Sequence, residues 1–337
     1  MKNILSRFLN DSSGFGKANR WIPIEFVVSA AILLLPVLFA SNKYFVTILQ
    51  YSAIFAILAM ALNLVSGYTG QISLGQAAFY ALGAYAAVIL EVHYQVPLYI
   101  AWPAAIVITS IIAWLIAFPV LKLSGHYLAL ATIAFGLIIV TLISQGGSFT
   151  GGHDGLILPA LTYLGATLRD IFPLVIIASA VLIYWLLRNL TESSVGRSLR
   201  AVRDDPDAAA ALGIPVSRYR TLSFVLAAAF SALAGIFYAH LTQVITPDAF
   251  GFNVSIDILL MVIVGGMGHR FGGVIGAVVV MVLPELLADF GSLKYLIVDT
   301  LVLLALIFLP KGVVSIPHII RSLFKPWGKK PFSEEIA

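Results

Sequence analysis

The chain has no cysteine among its 337 residues, and only 11% of them are charged. Without thiols there are no disulfides, no thiolate metal sites and no cysteine nucleophiles. Soluble domains carry about 25% charge. With so little charge, 60% hydrophobic residues and a mean hydropathy of +1.00, this is a polytopic membrane protein of the all-α class. The histidines His93, His126, His153, His240, His269 and His318 each stand alone, mostly near the ends of apolar runs. No metal is expected, and interfacial hydrogen bonding is the preferred reading of these rings. Phosphate-binding signatures are also missing, because Gly16-Lys17 and Gly328-Lys329 lack the G-x4-G-K-[ST] frame in which backbone N–H groups cradle phosphate. The chain is therefore expected to hydrolyse no nucleotide by itself. The spans hold no paired acid and base and no activated nucleophile, so no catalytic residue is expected. A pI near 9.2 raises nucleic acid as a partner. The basic residues flank apolar runs instead of forming a patch interleaved with aromatics, and nucleic acid is not expected.

What is abundant is apolar sequence. Ten runs are candidates to cross a bilayer: Trp21 to Ala40, Tyr44 to Ser66, Gln71 to Leu90, Leu98 to Leu121, Tyr127 to Ile143, Ile171 to Leu187, Thr221 to Leu241, Ser255 to Met267, Gly272 to Ala288 and Tyr295 to Leu309. The eighth is short. The first 20 residues carry Lys2, Arg7, Lys17 and Arg20, too polar and too long for the n-region of a signal peptide, and read as a retained cytoplasmic segment. Alternation from a cytoplasmic N-terminus places 17 basic residues inside and only Lys43, Arg169 and Lys294 outside. The expected organisation is a cytoplasmic segment 1–20, helices one to six in 21–187, a cytoplasmic loop 188–220, helices seven to ten in 221–310, and a basic cytoplasmic tail 311–337. Glu25, Asp257, Glu285 and Asp299 lie in or close to apolar runs, near span ends, which leaves few candidates for a proton or sodium relay. A secondary carrier would need Asp299 or Glu285.

Residues Arg188 to Arg220 form a polar island between apolar runs, holding 10 of the chain's 20 basic and 16 acidic residues. Its centre reads Asp205-Pro206-Asp207-Ala208-Ala209-Ala210-Ala211-Leu212-Gly213, which spells an N-cap, a proline in the first turn, helix-favouring alanines and a glycine stop. Arg197, Arg200 and Arg203 recur every three residues, placing them on nearly one face of a preceding helix. Inside-positive anchoring near lipid headgroups would explain their sign. The order of basic helix, capped helix and proline stop reads instead as a rigid docking element.

Between Lys43 and Glu91 lie 47 uncharged residues, too many for one crossing, interrupted around Gly67 to Gln76. Thr69, Gly70, Gln71, Ser73 and Gln76 fall at this break. Non-helical backbone at membrane depth is tolerated where it is buried in protein or lines a wet cavity, so the break is either the inner part of a solute path or a tight turn between two spans. Gly67, Gly70 and Gly75 are matched by Gly265, Gly268 and Gly273, each displaced by 198 positions, and coincidence is the preferred reading. In the long outer loop Thr150-Gly151-Gly152-His153-Asp154-Gly155 suits a plain linker, which is favoured, or a gate beneath a docked solute carrier.

Asp207-Ala208-Ala209 with Gly213 resembles the Glu-Ala-Ala-x3-Gly coupling motif of ABC-importer permeases, with aspartate for glutamate. Gly196 to Arg203 before it and Leu233-Ala234-Gly235 after it resemble the permeases for branched-chain amino acids, in their M-type (LivM-like) form. Ser66 to Phe79, Leu123 to Leu130, Thr150 to Gly155, Gly265 to Gly268, Leu283-Pro284-Glu285 and Pro310-Lys311-Gly312 extend the likeness over about residues 45 to 313. The resemblance implies a type II-like ABC-importer permease of about ten transmembrane helices in the bacterial inner membrane. It implies a second permease subunit, two cytoplasmic ATPases that bind ATP and Mg, and a periplasmic or lipid-anchored solute-binding protein as partners, besides membrane lipid. Arg197, Arg200, Arg203, Asp205, Asp207, Ala208, Ala209 and Gly213 would couple to the ATPase. Two departures stand out: Leu137 where the family often has an acid, and His269-Arg270 where small or apolar residues are usual. Relatives also serve urea and short amides, so the solute is open.

Overall fold

The computed structural model describes residues 42–123, 125–158, 162–163, 166–167, 171–291, 293–308 and 312–315. The expected first span, Trp21 to Ala40, lies outside the described residues, as do Glu25 and the chain from residue 316 onward. Each of the other nine apolar runs is a helix: α1 Lys43–Leu62, α2 Gln76–Val92, α3 Leu98–Val120, α4 His126–Gln145, α5 Phe172–Glu192, α8 Val216–Thr242, α9 Phe252–Gly265, α10 Gly272–Leu286 and α11 Leu293–Phe308. The island contributes two more, α6 Ser194–Asp204 and α7 Pro206–Ala211. α1 runs on through a π-helical turn, Asn63–Tyr68. The third run was expected to be helical from Gln71. It becomes helical only at Gln76, because Gly70 turns the backbone left-handed (φ +69°).

Contacts gather at two ends. Gly70 beside Arg203, Asn63 against Gly268 and Gly312 against Gly266 lie at the end that carries the island. Tyr44 bonded to Glu285, His93 stacked on Phe149 and Leu156 paired with Ile245 lie at the far end. The nine apolar helices among the described residues therefore run alternately between these ends. Six are long and apolar enough to cross a membrane: α1 with its π turn, α3, α4, α5, α8, and α9 with the 3-10 turn before it. α2, at 17 residues, reaches about 25 Å, short of a hydrocarbon core of about 30 Å. The count of ten spans is thus not reproduced by length and composition.

The centre of the bundle is α1, α2 and α8, where Ile54, Leu58, Leu62, Phe79, Tyr80 and Phe237 are fully or almost fully buried. α3, α4 and α5 turn Trp114, Phe118, Leu130, Leu142 and Leu182 outward. An apolar exterior of this kind is ordinary only in lipid. Backbones, more than side chains, set the α2–α8 distance. A Cβ on Gly83 would overlap the backbone of Ala232, and one on Gly235 would overlap the carbonyl of Tyr80. Without a hydrophobic drive between helices in lipid, such small-residue contacts carry the association.

The far end is more built than a linker. Thr150 donates from Oγ1 to the Ile143 carbonyl (2.6 Å), and Gly151, Gly152 and Gly155 all take positive φ. They lead into β1, Leu156–Ile157, antiparallel to β4, Val244–Ile245; β2, Thr162–Tyr163, pairs with β3, Ala166–Thr167. These two-residue ladders are the departure from an all-α chain. His240 is also more than an interfacial ring: it is buried, with Nε2 2.9 Å from Glu91 Oε2 and Nδ1 2.8 Å from the Ile236 carbonyl. His93 does behave as expected, its Nε2 lying 2.9 Å from the Phe149 carbonyl.

Gly83→Leu should prevent α2 from seating on α8 and cost about 3 kcal/mol or more, because backbone cannot yield as a side chain can. Gly136→Ala in α4 meets nothing within 4 Å and should change stability by at most about 1 kcal/mol, towards stabilisation. Thermal unfolding of the purified protein in detergent checks both.

Candidate functional site

The island's sequence signals become geometry residue by residue. Asp205 caps α7, its Oδ1 accepting from Asp207 N (2.9 Å) and Ala208 N (3.0 Å), with Pro206 at the first helical position. At the other end Gly213 (φ +82°) donates to Ala210 O and Ile214 donates to Ala209 O, the paired bonds of a Schellman stop. Asp207 lies in the first turn, where a carboxylate suits the helix dipole. Only Ala209 in α7 is buried; Asp207, Ala208, Ala210 and Ala211 are exposed, and Leu212 at its end is 82% exposed.

α6 is capped by Ser193 and buries Gly196, Leu199 and Val202. The three arginines sit one position further round, flanking that buried stripe. Arg197 is exposed. Arg200 donates to the Thr191 carbonyl at 2.9 Å, and Arg203 Nη1 donates to the Gly67 carbonyl at 2.9 Å while Nε and Nη2 hold Asp204. Two of the three cations therefore bond the chain's own backbone.

The break beneath the island is buried and largely hydrogen-bonded, although Gln71 Oε1 and Ser73 Oγ have no partner among the described residues. Thr69, Gln71, Ser73 and Gln76 are at most 3% exposed. Gln71 Nε2 donates to Thr69 Oγ1 (2.7 Å) and Ser223 Oγ (3.1 Å), and Gln76 Nε2 donates to Ser231 Oγ (2.6 Å). The irregular backbone is satisfied by Ser66 donating to Gln71 O and by Thr132 accepting from Leu74 N. The Gln71 and Gln76 side chains thus face α8, and the Leu74 backbone faces α4. Gly70 and Gln71 border a hollow between the island ends of α3, α4 and α8.

The two glycine triplets lie in turns that are brought together. Gly70 (φ +69°) has positive φ in the first turn, Gly266 (φ +117°) and Gly268 (φ +76°) have it in the second, and the turns meet. Asn63 joins them: Oδ1 accepts from Gly268 N at 2.7 Å and Nδ2 donates to His269 O at 2.9 Å. Sequence reasoning passed over Asn63, whose only signal was an amide in a long uncharged run. The unusual His269-Arg270 pair also finds a use, since Arg270 Nη1 binds Glu192 Oε1 at 3.0 Å and pins the turn to the end of α5. Leu137, the other departure, is an exposed residue of α4. Glu285 accepts from Tyr44 at the far end and Asp257 is exposed near the start of α9. Among the described residues no group of acidic or histidine side chains is placed to hold a metal.

His269 Nδ1 accepts from Phe271 N (3.3 Å), and burial, then the neighbouring Arg270, hold the ring below its ordinary value of about 6.5. A depressed folded value means that the neutral ring contributes stability above about pH 6.5, lost as pH falls through the lower folded value. Acidification from about pH 7 to about pH 5 should therefore lower the thermal midpoint more in the wild type than in His269→Gln. Equal slopes in the two proteins would assign the loss to another group.

Residues 44–309 match the family described as branched-chain amino acid transport system, permease component. The chain is 30% identical over 302 residues to the high-affinity branched-chain amino acid transport system permease protein LivM of Salmonella typhimurium, covering 82% of this chain and 71% of the relative. It is 30% identical over 315 residues to LivM of Escherichia coli, with 86% and 74% covered. To LivH of Salmonella typhimurium it is 25% identical over 288 residues, with 79% and 92% covered. No solved structure matches the chain significantly. These relatives are permease subunits of transport systems, not enzymes, and the apolar exterior and alternating helices agree with that class. On the family match and the likeness to LivM, the chain belongs to the branched-chain amino acid transport permease family, in its M-type (LivM-like) form.

Proposed function

We propose that this chain is the membrane permease subunit of an ATP-binding-cassette importer and forms part of the translocation path for branched-chain or related amino acids. The observation that carries the reading is α7: a helix of six residues, capped at both ends, buried only at Ala209, and ending in the 82% exposed Leu212. A short rigid helix held clear of the bundle suits a cleft on another protein. With no phosphate-binding frame in the chain, that protein is the ATPase, which supplies the ATP and Mg site. Two such ATPases, a second permease subunit and a periplasmic or lipid-anchored solute-binding protein complete the importer.

In this reading the island end faces the bacterial cytoplasm, both termini lie there, and the helices cross the inner membrane ten times. The ATPase contact is formed by α7, Asp205 to Gly213, with Arg197 beside it; Arg200 and Arg203 hold the element to the bundle. The break from Thr69 to Gln76 borders the solute path on the cytoplasmic side, Gly70 and Gln71 being the residues nearest an opening. The folded Thr150-Gly151-Gly152 loop is the seat for the binding protein.

Reconstituted with its cognate subunits, the chain should support leucine, isoleucine and valine uptake that stops on ATP depletion or vanadate; uptake indifferent to both would sink the importer reading. Competition of that uptake by urea or short amides would move the solute to those compounds. Leu212→Glu should lower retention of the ATPase at least about tenfold with normal membrane insertion, since a buried unpaired charge is costly at an interface. Asp205→Ala removes two capping bonds worth about 1 kcal/mol together and should lower transport without abolishing it.

A further inference from the structure

A closed ring of contacts links the island to three membrane helices. From the end of α5, Glu192 binds Arg270 in the turn between α9 and α10. That turn is held by Asn63 through two successive backbone groups, Gly268 N–H and His269 C=O. Asn63 opens the π-helical turn of α1, and four residues on Gly67 offers its carbonyl to Arg203 in the last turn of α6. α6 follows α5 directly, which closes the ring.

The ring is tight around Asn63 and Gly67, and Asn63 and Arg270 also border a small hollow against the end of α5. Asn63 is 3% exposed, so both of its amide groups are committed to protein. Residues i and i+4 of a helix lie one above the other, which puts the Asn63 side chain across Gly67. A Cβ on Gly67 would overlap both Asn63 Oδ1 and Gly268 N. A Cβ on Gly268 would stand 3.0 Å from Arg203 Nη1 and 3.0 Å from the Gly67 carbonyl. Arg203 lies over Gly70 as well, its Cγ 3.0 Å from where a Cβ would be. Two turns 198 positions apart are thus pressed backbone to backbone, with the Asn63 and Arg203 side chains reaching between them.

We infer that Asn63 is a positioning residue for transport, clamping the turn of α9 and α10 onto α1 so that α6, α7 and the island ends of α1, α9 and α10 move as one rigid body. A displacement of α7 then reaches α10 through Arg203, Gly67, Asn63 and Gly268, without bending a helix. The link to transport rests on the proposed coupling role of α7; the rigid body does not.

The chain has no cysteine, so a pair of spin labels can be placed cleanly at the exposed positions Ser194→Cys on α6 and Met267→Cys on the turn. In the assembled transporter the label distance should be narrow and the same with and without ATP. Asn63→Ala should broaden it. Asn63→Asp, which keeps the acceptor for Gly268 N–H and loses the donor to His269, should give an intermediate width. A wild-type distance that shifts on ATP binding, or an unbroadened distribution in either variant, overturns the clamp. In the same preparations Asn63→Ala should retain the ATPase subunits but raise ATP hydrolysed per solute imported at least about fivefold, the lower range of site coupling. An unchanged ratio removes the role in transport. A wild-type complex without ATP-driven uptake instead removes the importer reading and leaves the label distances to decide the clamp.

Discussion

Between apolar helices a backbone N–H or C=O that leaves the helical ladder has no water to turn to, and it must be paired within the chain. This constraint shapes the middle of the protein. The stretch from Thr69 to Gly75 can be irregular because Ser66 reaches the Gln71 carbonyl and Thr132 receives the Leu74 N–H. The side chains of the same stretch are then drawn against α8, Gln71 to Ser223 and Gln76 to Ser231. Pairing at the break thereby positions α2, and with it the buried α2–α8 contact. Polar residues in an apolar run are here the means by which non-helical backbone is kept at depth.

Space works with pairing. Where helices have no hydrophobic drive to associate, the contacts that hold them are those in which backbones approach closely. Gly83 on Ala232 and Gly235 on Tyr80 fix α2 to α8; Gly67 on Gly268 and Gly273 on Met60 fix the island ends of α9 and α10 to α1. The two sets differ in one respect. Side chains bridge both, Gln76 bonding Ser231 in the first and Asn63 and Arg203 spanning the second, but only the second includes a residue of the island, Arg203. Steric contact resists approach and a hydrogen bond resists separation, so both junctions can transmit a push and a pull, and the second passes them to the island.

The parts legible in the sequence are those fixed by near neighbours. Asp205, Pro206 and Gly213 act within three residues of their partners, so the cap and stop of α7 could be read from their order. Apolar run length located the nine helices, and the period of Arg197, Arg200 and Arg203 gave a face of α6. What that face meets was not legible, since Gly67 is 136 positions from Arg203. The same distance barrier hid the His240–Glu91 pair, the ladder between Leu156 and Ile245, and the meeting of the two glycine triplets. The break itself was found, but what its side chains meet was not legible: Gln71 and Gln76 bond α8, and Gly70 and Gln71 border a hollow.

Arg203 shows how one residue type can satisfy two demands. Basic residues at the island end fit the rule that orients membrane chains by charge, and a lysine would serve that rule equally. The contacts made by Arg203 are not open to lysine. Its planar guanidinium gives one donor to the Gly67 carbonyl and two to Asp204, in directions fixed by the fork, while its alkyl stem covers Gly70. An ammonium group has three donors, but they radiate from one atom on a mobile stem and do not match the separate edges of the fork. The orientation of the chain in the membrane therefore asks only for positive charge at this position, and the junction between island and bundle asks for arginine.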